Sequence, residues 1–409
     1  MNTPAEVLVV GASAAGLATV EALRRRGYTD GVTLLGAETH PPYDRPPLSK
    51  QVLAGAWAPD RVRLRQEDAL DALDVRVVLG DPAVSLDAGN RVVRTASGRL
   101  LRSDVVVLAT GVRPRTFPGQ DGLAGVHVLR TLDDCLALRE DLRPGTRLVV
   151  VGDGVLGAEV AATARAAGHD VTLTGPQAAP LEAQLGPLVA GLLRRTHADN
   201  GVRLRLGRAV TGLVAREGRI TGVALEGGEE IPAEVVLVAL GSVPNTDWLA
   251  GSGLDLTGGV RCDSRCRAAD GVYAVGDVAH WFHEGLGVGM RLENRTNATE
   301  QAGVVAQNIL GADRPYTPVP YFWTDQFDAR LQVHGLPPRD AEVTVEDGEL
   351  GSRGFVAVYR REGRPVGVLG WNMPKQARRL RQRLLGPPPA RTAPTAVDTG
   401  QPAVAPTSA

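Results

Sequence analysis

Short apolar runs rich in valine and leucine recur along this chain, and several of them end in glycine. Runs of this length and composition read as buried strands. Val7-Leu8-Val9-Val10 leads into Gly11-Ala12-Ser13-Ala14-Ala15-Gly16, and Leu148-Val149-Val150-Val151 leads into Gly152-Asp153-Gly154-Val155-Leu156-Gly157. Each pattern predicts a strand, a tight turn and a helix, the second helix running from about Val155 to Ala167. Second strands follow at Val32–Leu35 and Val171–Thr174. Each half then closes on an apolar strand that ends in glycine: Val105 to Gly111, through Ala109 and Thr110, and Val235 to Gly241. The halves therefore share a plan, although the chain is no short-period repeat.

The remaining pattern is more varied. A helix is expected over Leu132–Leu142 and hairpin-like segments from Val202 to Ile231. A strand over 272–275 ends in the acidic turn Gly276-Asp277, and a long helix runs from about Asn297 to Leu310. Phe355–Tyr359 and Val366–Leu369 flank Arg361-Glu362-Gly363-Arg364 and read as a β-hairpin. A basic helix, Lys375–Leu385, follows. From Gly386 onward Pro, Ala, Thr and Gly dominate, the composition of a disordered tail. The expected organisation is α/β. Residues 1–112 and 245–320 form one dinucleotide-binding domain, 113–244 a second, 321–386 a C-terminal α+β domain, and 387–409 the tail.

The glycine loops carry candidate chemistry. A chain turning tightly from strand to helix needs glycine, and a pyrophosphate can then approach the backbone N–H groups at the positive helix end. Two loops in one chain imply two dinucleotides face to face, and so electron transfer between them. In the first loop Ser13 replaces the middle glycine. Glu38 stands at the end of the second strand, where an acid binds a ribose hydroxyl.

Composition narrows the setting. The 409 residues suit two or three domains, and a net charge of −1 gives no argument for nucleic acid or a membrane surface. No apolar run is long enough to span a bilayer, no secretion signal is read at the N-terminus, and three cysteines fit a reducing cytoplasm. Cys262 and Cys266 have neither metal-ligand nor Cys-x-x-Cys spacing, and Cys135 reads as packing, so no metal site is expected. Of 45 basic residues only Lys50 and Lys375 are lysine. A lysine here therefore raises the question of what arginine could not do, such as place a compact ammonium in a tight site.

Six stretches together resemble the flavin-dependent ferredoxin reductases of the putidaredoxin and rubredoxin reductase type, over about residues 5–385. They are the two glycine loops (the second through Glu159), Tyr43-Asp44-Arg45-Pro46-Pro47-Leu48-Ser49-Lys50, Ala109-Thr110-Gly111, Gly276-Asp277 and Tyr321-Phe322-Trp323-Thr324-Asp325-Gln326-Phe327. The resemblance implies a glutathione-reductase-like architecture of two Rossmann-like domains plus the C-terminal domain. It implies non-covalent FAD, with its pyrophosphate at Gly11, Ser13, Ala14, Ala15 and Gly16. The adenosine would lie near Glu38 and Val84, Arg45, Lys50 and Arg130 would line the cofactor, and Asp277 beside Gly276 would hold the ribityl chain. Ala109, Thr110, Gly111, Glu293, Arg295 and Trp323 join this set. NADH or NADPH would bind at Gly152, Gly154, Val155, Leu156 and Gly157, with Gly241 near the nicotinamide. Lys50 and Glu159 would form the catalytic pair beside the reacting edge of the flavin.

The stretch His40 to Lys50 has no cysteine, whereas glutathione-reductase-like relatives carry a dithiol there, so electrons leave the flavin directly. A small iron–sulfur ferredoxin serving a monooxygenase or dioxygenase is the implied partner, steered to a basic face formed by Arg378, Arg379, Arg381 and Arg383. The alternatives are a reductase of a small organic radical or quinone, resembling monodehydroascorbate reductase, and a redox-sensing flavoprotein. The implied protein is cytoplasmic, a monomer or weak dimer. Two departures stand out. Gly175 replaces the acid expected at the end of the second-domain strand, which weakens the preference for NADH. Arg295 occupies an apolar slot, where it would add positive charge near the flavin.

Overall fold

The computed structural model describes residues 3–385, so the proline- and alanine-rich tail from Gly386 lies outside the described residues. The first glycine-loop strand, Glu6–Val10, sits inside a six-stranded sheet. The strand order is 267–269, 272–274, 105–108, 6–10, 31–35, 76–78. Its central strands are parallel and buried on both faces, which accounts for their unbroken apolar sequence. The strand 272–274 arrives from far along the chain and delivers Gly276-Asp277 to the same edge as the first glycine loop.

The second glycine-loop strand, Arg147–Val151, occupies the middle of a five-stranded parallel sheet ordered 203–206, 170–175, 147–151, 235–238, 126–127. The expected internal parallel extends to hydrogen-bond detail. Gly11 N donates to Leu35 O (2.7 Å) and Gly152 N to Thr174 O (2.8 Å). Ala109 N donates to Val10 O, and its counterpart Ala239 N to Val151 O, both at 2.7 Å. Gly11 and Gly152 share φ = +124°, and a Cβ on either would overlap the carbonyl of Ala109 or Ala239. Only glycine fits there.

Three elements differ from the sequence reading. The helix Glu182–Asp199 was not anticipated, because a break at Gly186 and the proline after it interrupt its periodicity. In the segment expected to be hairpin-like, 203–206 instead joins the parallel sheet. Only 210–216, 219–225 and 230–232 form an antiparallel meander. The basic helix is shorter than expected: Pro374–Leu380 is α-helical and 381–385 tightens to a 3-10 turn.

The chain passes between the two sheets through one antiparallel ladder, 112–114 against 242–244. The C-terminal module is a five-stranded antiparallel sheet ordered 321–326, 329–335, 364–371, 355–361, 342–348. Its expected hairpin forms, with Glu362 and Gly363 both at positive φ in the two-residue turn. One face of this sheet, including Leu331, Phe355, Tyr359 and Trp371, packs on Leu185, Val189 and Leu193 of the broken helix. The Tyr359 hydroxyl donates to Leu185 O at 2.8 Å. The chain is thus α/β, with two Rossmann-like domains and a C-terminal α+β domain. No helix among the described residues is long and apolar enough to cross a membrane.

The second loop provides a direct check on this packing. A Cβ at Gly157 would overlap the Gly152 carbonyl. Gly157→Ala is expected to cost about 1–3 kcal/mol as overpacking. A thermal melt should fall by roughly 2–10 °C.

Candidate active site

A cavity of about 1060 Å³ runs between the two glycine loops. It exceeds the roughly 300–1,000 Å³ usual for one small-molecule pocket. Of the sequence-derived residues, Gly11, Ser13, Ala14, Ala15, Glu38, Arg45, Lys50, Ala109, Thr110, Gly111, Arg130, Asp277, Glu293, Arg295 and Trp323 line it. From the second loop Gly154, Val155, Leu156, Glu159 and Gly241 line it too. Gly16, Gly152, Gly157 and Gly276 do not. They allow close packing behind the wall: Gly16 on the Gly11 carbonyl, Gly157 on that of Gly152, Gly152 on Ala239, and Gly276 on Ala15 and Ala298. Val84 points to solvent at 45 % exposure, whereas its neighbours Pro82 and Ala83 line the cavity.

Ser13 fits without strain. Its backbone is extended (φ −132°, ψ −157°), a conformation open to any residue, and Gly154 holds the same place in the second loop (φ −79°, ψ −171°). Each is the N-cap of a twelve-residue helix and makes no side-chain capping bond. The first-turn amides therefore open toward the cavity, at the positive end of the helix, as a phosphate site requires. On this ground the residues fit two dinucleotides, FAD along the first loop and a nicotinamide dinucleotide along the second.

A polar network lines the first-loop side. Glu38 accepts from the Tyr43 hydroxyl (2.5 Å) and pairs with Arg45 (2.6 Å). Burial pushes the Tyr43 hydroxyl above its ordinary pKa, so it stays a donor while accepting from Leu132 N at 3.0 Å. Arg45 also donates to the Arg130 carbonyl (2.6 Å), and Arg130 pairs with Asp277 (2.9 Å). A capping box between Thr131 and Asp134 fixes this corner, with Asp134 accepting from Arg130 N. The sequence reading missed Tyr43 and Asp134 as site residues, although Tyr43 opens a motif it had singled out. Arg295 does not stand as an isolated positive charge, because its Nε donates to Asp44 at 2.7 Å and the ion pair offsets it.

In the same cavity, Lys50 Nζ lies 2.5 Å from Glu159 Oε2, with side chains 13 % and 7 % exposed. Lys50 follows the short helix Pro46–Ser49, and Glu159 projects from the helix Val155–Ala166. Ser49 donates to the same carboxylate oxygen at 2.6 Å, and Thr324 to the other at 2.9 Å. The cysteines lie elsewhere. Cys135 is buried under Leu48, whose carbonyl it faces at 3.2 Å, and Cys262 and Cys266 belong to the core of the first sheet. All three are free thiols, pushed up in pKa by burial, and none lines the cavity.

Gly175 has a structural counterpart that the sequence did not reveal. The space its side chain would fill is taken by the Asp153 carboxylate. Asp153 accepts from Gln177 N (2.8 Å) and Gln177 Nε2 (2.6 Å). An acid therefore does stand at the end of this strand, supplied from the glycine loop instead of the strand itself.

The Lys50–Glu159 pair should behave as a buried unit. Lys50→Met leaves the carboxylate without its counter-charge, with an expected loss of about 3–5 kcal/mol. Lys50→Met combined with Glu159→Leu should recover most of that loss in denaturant unfolding, a strongly non-additive cycle.

Comparisons with known proteins agree with this geometry. Residues 5–302 match the pyridine nucleotide-disulphide oxidoreductase family, and residues 321–403 match the reductase C-terminal family. The chain is 36% identical to the anthranilate 1,2-dioxygenase system ferredoxin–NAD(+) reductase component of Burkholderia cepacia, covering 91% of this chain and 93% of that protein. It is 32% identical to putidaredoxin reductase of Pseudomonas putida, covering 93% and 92%. The crystal structure of the covalent putidaredoxin reductase–putidaredoxin complex superimposes with a TM-score of 0.88 at 32% identity, covering 94% of this chain and 93% of that one. The chain belongs to the pyridine nucleotide-disulphide oxidoreductase family and, within it, to the FAD-dependent NAD(P)H:ferredoxin reductases.

Proposed function

We propose that this reductase takes its hydride from NADH and delivers single electrons to a small iron–sulfur ferredoxin that serves an oxygenase. The observation that carries this reading is one cavity lined by both glycine loops, with the Lys50–Glu159 pair between them. FAD, when bound, would accept one hydride from a nicotinamide and release its two electrons one at a time, which suits an iron–sulfur acceptor.

The chain's own residues have distinct tasks. Ser13, Ala14 and Ala15 offer helix-end amides to one pyrophosphate, and Gly154, Val155 and Leu156 to the other. Asp277, steadied by Arg130, accepts from hydroxyls of the ribityl chain. Glu38, held by Tyr43 and Arg45, stands at the adenosine end. Lys50 keeps a compact ammonium at the nicotinamide end, its charge largely offset by Glu159. A larger arginine fork would need more room between the short helix and Glu159. With every thiol outside the cavity lining, a dithiol relay has no residues to run through, and the electrons pass directly from the cavity to the partner. Relatives that serve dioxygenase systems, and one captured with putidaredoxin, support an iron–sulfur partner over a quinone.

Docking is proposed on the C-terminal basic face, in a narrower form than the sequence suggests. Arg383 is committed to Glu346 (3.0 Å), and Arg381 is half-buried. Arg378 and Arg379 remain exposed for an acidic partner.

Preference for NADH rests on Asp153. Its carboxylate stands beside Gly175 at the end of the second strand, the place from which an acid favours a ribose hydroxyl over a 2′-phosphate, so NADPH is disfavoured. Steady-state kcat/KM for NADH is expected to exceed that for NADPH by about tenfold or more, a difference of about 1.4 kcal/mol. Asp153→Asn should narrow the ratio, and equal values in the unaltered protein would overturn the preference. The partner is tested by anaerobic reduction of the flavin with NADH, followed by mixing with a ferredoxin or with a quinone. Faster reoxidation by the ferredoxin, weakened by Arg379→Glu and by salt, supports the reading. Faster reoxidation by the quinone favours the organic-acceptor alternative.

A further inference from the structure

The sequence motif around Trp323 enters the site through a residue that the Lys50–Glu159 pair does not by itself explain. In the strand Tyr321–Gln326, alternation places Thr324 and Gln326 on one face, and both are fully buried. That face meets the helix carrying Glu159 and the end of the helix carrying His197. Thr324 Oγ1 lies 2.9 Å from Glu159 Oε1, Gln326 Nε2 lies 3.0 Å from Thr324 Oγ1, and His197 Nε2 lies 2.7 Å from Gln326 Oε1. A chain of three hydrogen bonds thus links a buried histidine in the second domain to the carboxylate at the cavity, by way of the C-terminal sheet.

The chain has a direction. His197 is fully buried, stacks edge-on against Phe327 and has no partner at Nδ1 among the described residues. Burial lowers its pKa, so the ring is neutral. Facing the Gln326 carbonyl oxygen, Nε2 must then carry the proton. The Gln326 amide nitrogen donates onward to the Thr324 hydroxyl oxygen, so the hydroxyl proton is directed to Glu159. Each donor points toward the carboxylate.

This arrangement decides how Glu159 is held. Oε2 receives both Lys50 and Ser49, whereas Oε1 receives Thr324 alone among the described residues. Lys50 is the single charged group in ion-pair range of Glu159 among those residues. Two donors on one oxygen leave the carboxylate free to pivot, and the bond to the second oxygen removes that freedom. Packing does not require a hydroxyl at position 324, because valine has nearly the same shape. A buried hydroxyl aimed at a charged acceptor forms one of the stronger kinds of hydrogen bond.

We propose that Thr324, backed by Gln326 and His197, is a positioning residue for hydride transfer: it fixes the Glu159 carboxylate, and through it the Lys50 ammonium, so that the C-terminal domain completes the nicotinamide end of the site. The proposal rests on the ferredoxin-reductase reading and on the role that reading gives to Lys50 and Glu159.

The test uses the full chain with FAD bound, comparing Thr324→Val and Thr324→Ser with the unaltered protein, without ferredoxin. In anaerobic rapid mixing with NADH, Thr324→Val is expected to lower the limiting rate of flavin reduction about tenfold, with the apparent dissociation constant changed by less than about twofold. Thr324→Ser, which keeps the hydroxyl, should restore the rate. A second readout involves no turnover. NAD+ added to chemically reduced protein is expected to give a weaker long-wavelength charge-transfer absorbance in Thr324→Val, and an unaltered one in Thr324→Ser. If Thr324→Val retains too little FAD to measure, Gln326→Leu leaves the hydroxyl but removes its orienting donor, and about a threefold slower reduction is expected.

Unaltered rate and absorbance in Thr324→Val would overturn the proposal. So would an equal loss in the valine and serine variants, or a defect that appears only when ferredoxin is added. If the unaltered protein is reduced by neither NADH nor NADPH, the ferredoxin-reductase reading itself fails, a result distinct from any of these.

Discussion

The Glu159 carboxylate is the constraint on which the site depends. A buried carboxylate is costly unless a counter-charge and hydrogen-bond donors surround it. Here the donors come from two stretches of chain remote from the helix of Glu159: Ser49 and Lys50 on one side, and Thr324 on the other. Satisfying that one group fixes the first Rossmann sheet, the second, and the C-terminal sheet against one another at the point where the two glycine loops converge. The Thr163 hydroxyl, one turn beyond Glu159, adds a bond to the Ser49 carbonyl at 2.8 Å, so the same helix grips the Lys50 segment twice. The cavity is therefore a product of domain packing more than of any single domain.

The two halves illustrate how one backbone solution serves two ligands. Gly11 and Gly152 have the same φ, their following amides open the same way, and their closing strands donate the same bond. What differs is the acid at the end of the second strand. In the first half Glu38 extends from beyond that strand and is held by Tyr43 and Arg45. In the second, a glycine at position 175 makes room for Asp153 to supply the carboxylate from the loop. A charge can keep its place in space while changing its place in sequence, because the strand end and the loop are adjacent across the parallel sheet.

The fold was largely legible in the sequence because its main elements declare themselves locally. Buried parallel strands are continuous apolar runs, the turns need glycine at positive φ, and the C-terminal hairpin has a two-residue Glu-Gly turn. The helix Glu182–Asp199 was not legible, since the break at Gly186 interrupts its period and a tertiary surface, the C-terminal sheet, stabilises it. The strand 203–206 was misassigned for a similar reason: its partner is 170–175, and a parallel pairing across an intervening helix leaves no turn signature.

In the site, the loop residues, Lys50, Glu159 and Asp277 were legible from motifs. Tyr43, Asp134, Thr324, Gln326 and His197 were not, because their significance lies in partners 89 to 165 positions away or in a corner formed only on folding. Arg295 shows the converse. The sequence places a positive charge near the flavin, and the fold sets Asp44 against it. By itself, then, the sequence determined the two nucleotide loops, the three-part architecture and the absence of a dithiol between His40 and Lys50, since each depends on residue types at short spacing. The tertiary structure alone decided which charges are offset, which acid stands beside Gly175 and what holds Glu159. Electrostatics inside a protein depend on distance and burial, and neither is written in the order of residues along the chain.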